Sequence, residues 1–500
     1  MMAIDAVKLA YCRTALLLPL LLIQVPGASA EAPDLLWTRM YGGYLPDRGN
    51  WVQQLPDGGF IIAGTTMTHV DDPGNDTNVW LLRTDASGEL LWDKVFGGDG
   101  LDYGNCVDQT ADGGFIIVGE TQSFGAQDYD MYVIRTDAQG DSLWTRFYGG
   151  QGFDKAFCVQ EIASGGYIIG GFGTSFGAGN EDAYLMKLNS AGDKLWLRAF
   201  GGPNRDGCWE VQETGDGGFI LGGWYEPSFY VADLWLVRTD ADGHLVWDNT
   251  YGGPGDDWGF TMDQTSDGGY VIAGYTFSYA VGQDDLYIVR TDAAGVELWS
   301  RAYGGASYDM AYSVRQTADE GFIASGWTRS YGAGSQDLWL VRTDAAGDTL
   351  WTRTYGGTSY ESGANLEPTD DGGYIVVGHT ASYGGMEEVW LLKTEPDPGS
   401  TAVPAGSPLA ARLFPNHPNP FNPSTCIDFE LAQGGPTRLI VYDIFGREVR
   451  RLADGPLPAG THSLRWDGRD EAGRMQPAGV YLYGLEKAGT CQSRKMLLIK

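Results

Sequence analysis

Residues 57–66 read DGGFIIAGTT, and the same phrase returns as DGGFIIVGET (112–121), DGGFILGGWY (216–225), DGGYVIAGYT (267–276) and DGGYIVVGHT (371–380). Each is a turn that uses glycine, followed by a β-branched and aromatic run of strand length. Working outward, paired glycines begin at Gly42, Gly97, Gly149, Gly201, Gly252, Gly304 and Gly356, so the chain repeats about every 52 residues. That period belongs to propeller blades rather than to helical solenoids. Each copy holds four short strand candidates, which in the sixth are YSVRQT, GFIASGWT, DLWLVRTD and DTLWTRTY. Helical periodicity is missing throughout.

The ends of the array set the topology. It is entered on a fourth-type strand, LLWTRMYGG (35–43), and left after a third-type strand, VWLLKTE (389–395). Three C-terminal strands therefore lack a partner that the N-terminal strand supplies, which is how a ring of blades closes without an open edge. The predicted fold is all-β: a seven-bladed β-propeller of four-stranded blades, the N-terminal strand completing the last blade, followed by a small immunoglobulin-like β-sandwich.

Composition narrows the function classes. A formal charge of -32 over 500 residues leaves no basic surface to neutralise phosphates, so no nucleic-acid partner is expected. Residues 1–30 read as a signal peptide, with Lys8 and Arg13 ahead of an apolar run and small residues at Ala28 and Ala30. After its removal no transmembrane segment is expected. Residues 31–396 form the propeller region, 397–412 a Pro, Gly and Ala-rich linker, and 413–500 a separate module. Between residues 31 and 411 there are 19 Lys and Arg against 55 Asp and Glu, whereas 413–500 hold 11 against 9, so the acidity belongs to the propeller. Cys106 and Cys158 read as small buried hydrophobes, and a Cys426–Cys491 disulfide is compatible with export.

Five residues beyond each first glycine stands an acid: Asp47, Asp102, Asp154, Asp206, Asp257, Asp309 and Glu361. Such a ring would hold a cation if every side chain faced a central channel. The favoured reading is structural, each acid capping the loop into its own blade. In the loop MTHVDDPGNDTN (67–78), Asp71, Asp72, Asn75 and Asp76 are of the type that ligates calcium, although their spacing departs from the EF-hand pattern. No other cofactor is expected.

Function is sought where the copies disagree. Three residues beyond the acid they show Asn50, Asn105, Phe157, Trp209, Phe260, Tyr312 and Ala364. The residues after the second-strand glycine are Thr65, Glu120, Phe172, Trp224, Tyr275, Trp327 and His379, read mainly as blade packing. Tyr103, Trp209, Trp258, Phe260 and Tyr312 are the ligand-binding candidates, because exposed aromatic rings stack on sugars or grip a partner protein. No nucleophile elbow, H-E-x-x-H helix or nucleotide-binding loop is present, so no catalytic residue is assigned. Carboxylate pairs of the glycosidase type stay open, because their separation is not legible in a sequence.

In the last module FPNHPNPFNPSTCIDFEL, VYDIFGREVRRL, LPAGTHSLRWDGRDEAGR, AGVYLYGLE and the closing RKMLLIK resemble the type A C-terminal sorting domain of the type IX (Por) secretion system and the related FlgD-like immunoglobulin-type module. The resemblance implies a Gram-negative bacterium and the secretion machinery as partner. It also implies a cargo that is secreted or attached to the outer surface, its tail commonly removed. The repeats resemble secreted bacterial propellers without a common activity. The leading expectation is an exported, non-catalytic propeller binding a surface glycan or a protein. The alternatives are an extracellular hydrolase acting on polysaccharide and a passive surface or adhesin spacer.

Overall fold

The computed structural model describes residues 31–68, 76–125, 128–229, 231–383, 386–398 and most of 412–498. The signal-peptide reading, most of the linker and three of the calcium candidates, Asp71, Asp72 and Asn75, lie outside the described residues. Secondary structure within them is strand and turn, and no helix is long and apolar enough to cross a membrane.

Between residues 35 and 394 the strands form seven four-stranded antiparallel sheets, six of them from consecutive strands. In the first sheet these are Asp47–Gln54, Phe60–Thr66, Asn78–Thr84 and Leu90–Phe96. The seventh sheet takes Glu361–Pro368, Tyr374–Thr380 and Glu388–Thr394 from the end of the array and Leu35–Tyr41 from its start, with Thr38 opposite Leu392. Each sheet packs on the next, and Asp47–Gln54 of the first packs on Glu361–Pro368 and Tyr374–Thr380 of the seventh. The first strands neighbour one another around the ring and form its inner wall.

Burial follows that order. Phe60–Thr66 and Asn78–Thr84 are buried at every residue, while the outer strand Leu90–Phe96 is partly exposed. The middle strands are sandwiched between neighbouring sheets, which is why FIIAGTT reads as a continuous apolar run rather than an alternating one. Ile61 and Ala63, for example, share a cluster with Val107 and Ile117 of the next sheet. Each buried Ile or Val side chain contributes about 1.5–3 kcal/mol.

The repeated polar letters are partners across each sheet. The Asp of DGG receives the third-strand Arg: Asp57 from Arg83 at 2.5 Å, Asp112 from Arg135 at 2.5 Å, Asp216 from Arg238 at 2.5 Å and Asp267 from Arg290 at 2.6 Å. In the third copy both letters change together, to Ser164 and Lys187, and Lys187 lies over the Phe219 ring instead. The fourth-strand Trp of each sheet packs on the aromatic that opens the second strand of the next, from Trp37 on Phe60 (5.9 Å between centroids) to Trp351 on Tyr374 (6.2 Å). Gly140, at φ +78°, lets the preceding Trp92 in: a Cβ there would stand 2.6 Å from its ring.

The C-terminal module has a three-stranded sheet (Arg412–Leu413, Thr425–Leu431, Gly460–Trp466) and a four-stranded one (Glu448–Leu457, Gly435–Asp443, Gly479–Lys487, Thr490–Leu498). Phe421, Ile427, Phe429, Leu439, Val441 and Trp466 fill the core. Glu448–Leu457 is an edge strand of the four-stranded sheet, and its charged letters keep that open edge soluble. Cys426 is a free thiol, so the Cys426–Cys491 disulfide is not formed. The two residues stand in different sheets, Cys426 opposite Arg465 and Cys491 opposite Glu486.

Candidate binding site

In every first strand the ladder skips one residue. The register shifts between Gly49 and Trp51, Gly104 and Cys106, Ala156 and Cys158, Cys208 and Glu210, Gly259 and Thr261, Ala311 and Ser313, and Gly363 and Asn365. The skipped residues are Asn50, Asn105, Phe157, Trp209, Phe260, Tyr312 and Ala364, the seven variable positions of the sequence. A β-bulge leaves its extra residue out of the ladder and re-aims the side chain. All seven line one cavity of about 390 Å³ on the inner wall of the ring.

The cavity is two-sided. Phe157, Trp209, Phe260 and Tyr312 form a continuous arc, with successive centroids 4.0, 5.6 and 5.2 Å apart. Trp327 also lines the cavity, and Arg48, Asn50, Asn105, Ser362 and His379 line it with Tyr360, whose ring is stacked on His379 at 5.6 Å between centroids. Asn50 and Asn105 each donate from Nδ2 to the next sheet, to the Gly104 carbonyl at 2.8 Å and the Ala156 carbonyl at 2.9 Å. Arg48 donates through Nε to Glu387 at 2.5 Å. Burial, and then the Arg48 charge, bring the pKa of His379 down to about 4, so its imidazole is neutral at physiological pH. The Nε2 of His379 and the Nε1 of Trp209 are buried without a hydrogen-bond partner.

Below the arc the inner wall is a ring of latches. Gln53, Asp108, Gln160, Gln212, Asp263 and Glu367 each accept the backbone N–H of the neighbouring blade, from Gln109, Glu161, Glu213, Gln264, Gln316 and Gln54, at 2.7–3.2 Å. The seventh position is Arg315, which has no acceptor atom, and the residue it would serve is Pro368, which has no N–H. Arg315 instead reaches Glu210 at 3.0 Å and lies 5.7 Å from the Trp51 ring. Glu210 also accepts from the Thr261 hydroxyl at 2.8 Å and the Met262 N–H at 3.0 Å. Burial opposes the Arg315 charge, but Glu210, Asp263 and Glu367 outweigh it and raise its pKa. Burial pushes Glu367 up to about 7 against the pull of Arg315.

The other candidates separate. Trp209, Phe260 and Tyr312 line the cavity, whereas Tyr103 and Trp258 are not among its lining residues. Tyr103 sits beside Tyr129, 6.1 Å between centroids. Trp258 is stacked on Trp224 at 4.8 Å with Arg205 6.0 Å above it, so its ring is used in packing. Phe157, Trp327, Tyr360 and His379 join the site without having been candidates. The shared bulge position was the sequence signal for Phe157.

Asp47, Asp102, Asp154, Asp206, Asp257, Asp309 and Glu361 are fully buried. Each accepts the N–H of the second glycine of its pair, from Gly43 to Asp47 at 3.0 Å through Gly357 to Glu361 at 2.8 Å. Their carboxylates are turned into the loops, and they are not cavity-lining residues. Among the described residues no group of three or more His, Cys, Asp or Glu is arranged to hold a metal ion, and Asp76 is the one described member of the 67–78 set.

Comparison with known proteins adds the following. Residues 424–490 match the family model described as the FlgD Ig-like domain. A curated relative, the regulatory protein FlaEY of Caulobacter vibrioides, is 25% identical over 190 residues, which is 33% of this chain and 20% of FlaEY. The chain thus spans about a fifth of that relative's length. Among solved structures, a fungal alcohol oxidase of the AA5 family in complex with copper aligns with TM-score 0.51 and 12% identity, covering 94% of this chain and all of its own. PorZ, a surface component of the type IX secretion system of Porphyromonas gingivalis, aligns with TM-score 0.40 and 12% identity over 89% of this chain and 59% of its own. At these identities the structural likeness concerns the fold alone.

Proposed function

We propose that the protein is an exported, non-catalytic binding protein whose propeller holds a carbohydrate residue in the inner-wall cavity. The C-terminal module then serves as its type IX sorting domain. The observation that carries the binding reading is the convergence of all seven bulge residues on one cavity. Their side chains differ from blade to blade, while the letters that build the scaffold repeat. An aromatic arc opposite a hydrogen-bonding arc suits a sugar ring, with its apolar face and its hydroxyl rim. Glu210 is the one carboxylate among the lining residues, and it is already held by Arg315. Hydrolysis of the usual glycosidase type requires a facing pair, so the site supports binding rather than turnover.

Thermal unfolding of the full chain against a panel of oligosaccharides tests the reading. A ligand present at about 100 times its Kd adds roughly 2.7 kcal/mol to the folded state. Trp209→Ala is expected to weaken the responding sugar by about 30-fold, equivalent to about 2 kcal/mol for an aromatic anchor. Trp258→Ala is expected to lower the melting temperature while keeping the ligand-dependent rise. If no sugar raises the melting temperature, or Trp258→Ala removes the response and Trp209→Ala does not, the binding site lies elsewhere.

The sorting role rests on the C-terminal motifs and on the match to the FlgD Ig-like domain. In a bacterium with a type IX system, removal of residues 413–500 is expected to leave the propeller in the periplasm, whereas the whole chain reaches the surface or the medium. Equal export of the two forms would remove the sorting role and leave a spacer domain.

A further inference from the structure

The floor of the cavity restricts which part of a glycan can enter, an inference that rests on the carbohydrate reading above. Trp51 belongs to the first blade, Glu210 to the fourth and Arg315 to the sixth. These blades are spaced around the ring, so side chains that meet from all three do so across the central lumen. Arg315 is 3.0 Å from Glu210 and 5.7 Å from the Trp51 ring. Both Trp51 and Glu210 line the cavity. The crossing is fixed from both ends: Arg315 also donates to the Val314 carbonyl at 2.8 Å, and Glu210 is held by Thr261 and Met262.

Pro368 explains why a cation can stand at this position. Any other residue there would present an N–H to be accepted, as at the six other junctions, and the seventh ring residue would be tied to its neighbour. Proline removes that donor and leaves Arg315 free to span the lumen.

We infer that the Arg315–Glu210 pair over Trp51 closes the channel beneath the cavity, so that the site receives the terminal residue of a glycan and excludes internal segments. A chain threaded through the ring would have to displace a buried ion pair. A chain end needs to enter from one face only, and a cavity of about 390 Å³ lies at the small end of ligand pockets, suited to one or two sugar rings.

The test is a length series on the full chain. Oligosaccharides of one, two, three and six residues are titrated by calorimetry in four series: β-1,3-glucose, β-1,4-glucose, β-1,4-galactose and α-mannose. For the series that binds, affinity is expected to level off by the second residue, changing less than threefold from two residues to six. Trp209→Ala is expected to weaken binding at every length. Affinity that keeps rising tenfold or more between two and six residues would overturn end recognition while leaving carbohydrate binding intact. Failure of every sugar to bind would overturn the carbohydrate reading and this inference with it.

Discussion

Asp397→Ala is expected to lower the stability of the propeller by about 3 kcal/mol, the scale for removing one partner of a buried ion pair. The measurement is the shift in denaturant midpoint at constant slope. Asp397 follows the last strand of the array, and its side chain and that of Arg342 are both fully buried. It accepts from Arg342 Nε at 2.9 Å, the Tyr374 hydroxyl at 2.6 Å and Trp351 Nε1 at 3.3 Å. These donors come from the sixth and seventh sheets, so one carboxylate ties the end of the array across a blade boundary. Arg342 keeps Asp319 at 2.6 Å, which places the cost at the lower end of the range for broken buried pairs. Arg353, which meets the more exposed Asp34 at 3.2 Å, provides the contrast: Asp34→Ala is expected to cost less than about 1 kcal/mol. A loss below about 1 kcal/mol for Asp397→Ala would mean that the junction of the sixth and seventh sheets does not depend on this carboxylate.

Arg315→Ala is expected to cost a further-reaching loss of about 3–5 kcal/mol, because it strands the Glu210 carboxylate in a buried site. Asp263 and Glu367 lose the same cation, which acts in the same direction. Two compensated variants separate charge burial from packing. Glu210→Gln with Arg315→Met removes both charges at similar volume and is expected to recover most of the loss. Arg315→Gln with Pro368→Gln supplies both halves of the missing latch and is expected to exceed Arg315→Gln alone by about 0.5–1.5 kcal/mol, one net hydrogen bond. Equal instability in all of these variants would show that the Arg315 stem, and not its charge, supports the ring.

Much of the scaffold was legible because it is written seven times. A repeat can be checked against its own copies, so the turn glycines and the acids that follow each Gly-Gly pair stood out by position alone. The third copy shows how far this goes: Ser164 and Lys187 replace the Asp and Arg letters together, and the structure explains the coupled change as the loss of an ion pair. The C-terminal module has a single copy of each strand, so no strand there can be checked against a repeat of itself. The candidate site was legible only in outline. Trp209, Phe260 and Tyr312 were found through copy-to-copy variation, but the same variation also pointed to Trp258 and Tyr103, which do not line the cavity.

The sequence by itself determined the all-β class, the period, the four strands of each copy and the partner that Leu35–Tyr41 offers to the last sheet. The class, the period and the strands follow from local turn chemistry and hydrophobic pattern, which act over a few residues and repeat. Tertiary structure decided which variable residues share a cavity, because that depends on the bulge that takes one residue of each first strand out of register. It also decided that Arg315, Glu210 and Trp51 meet across the lumen, since residues from three blades become neighbours only when the ring is assembled.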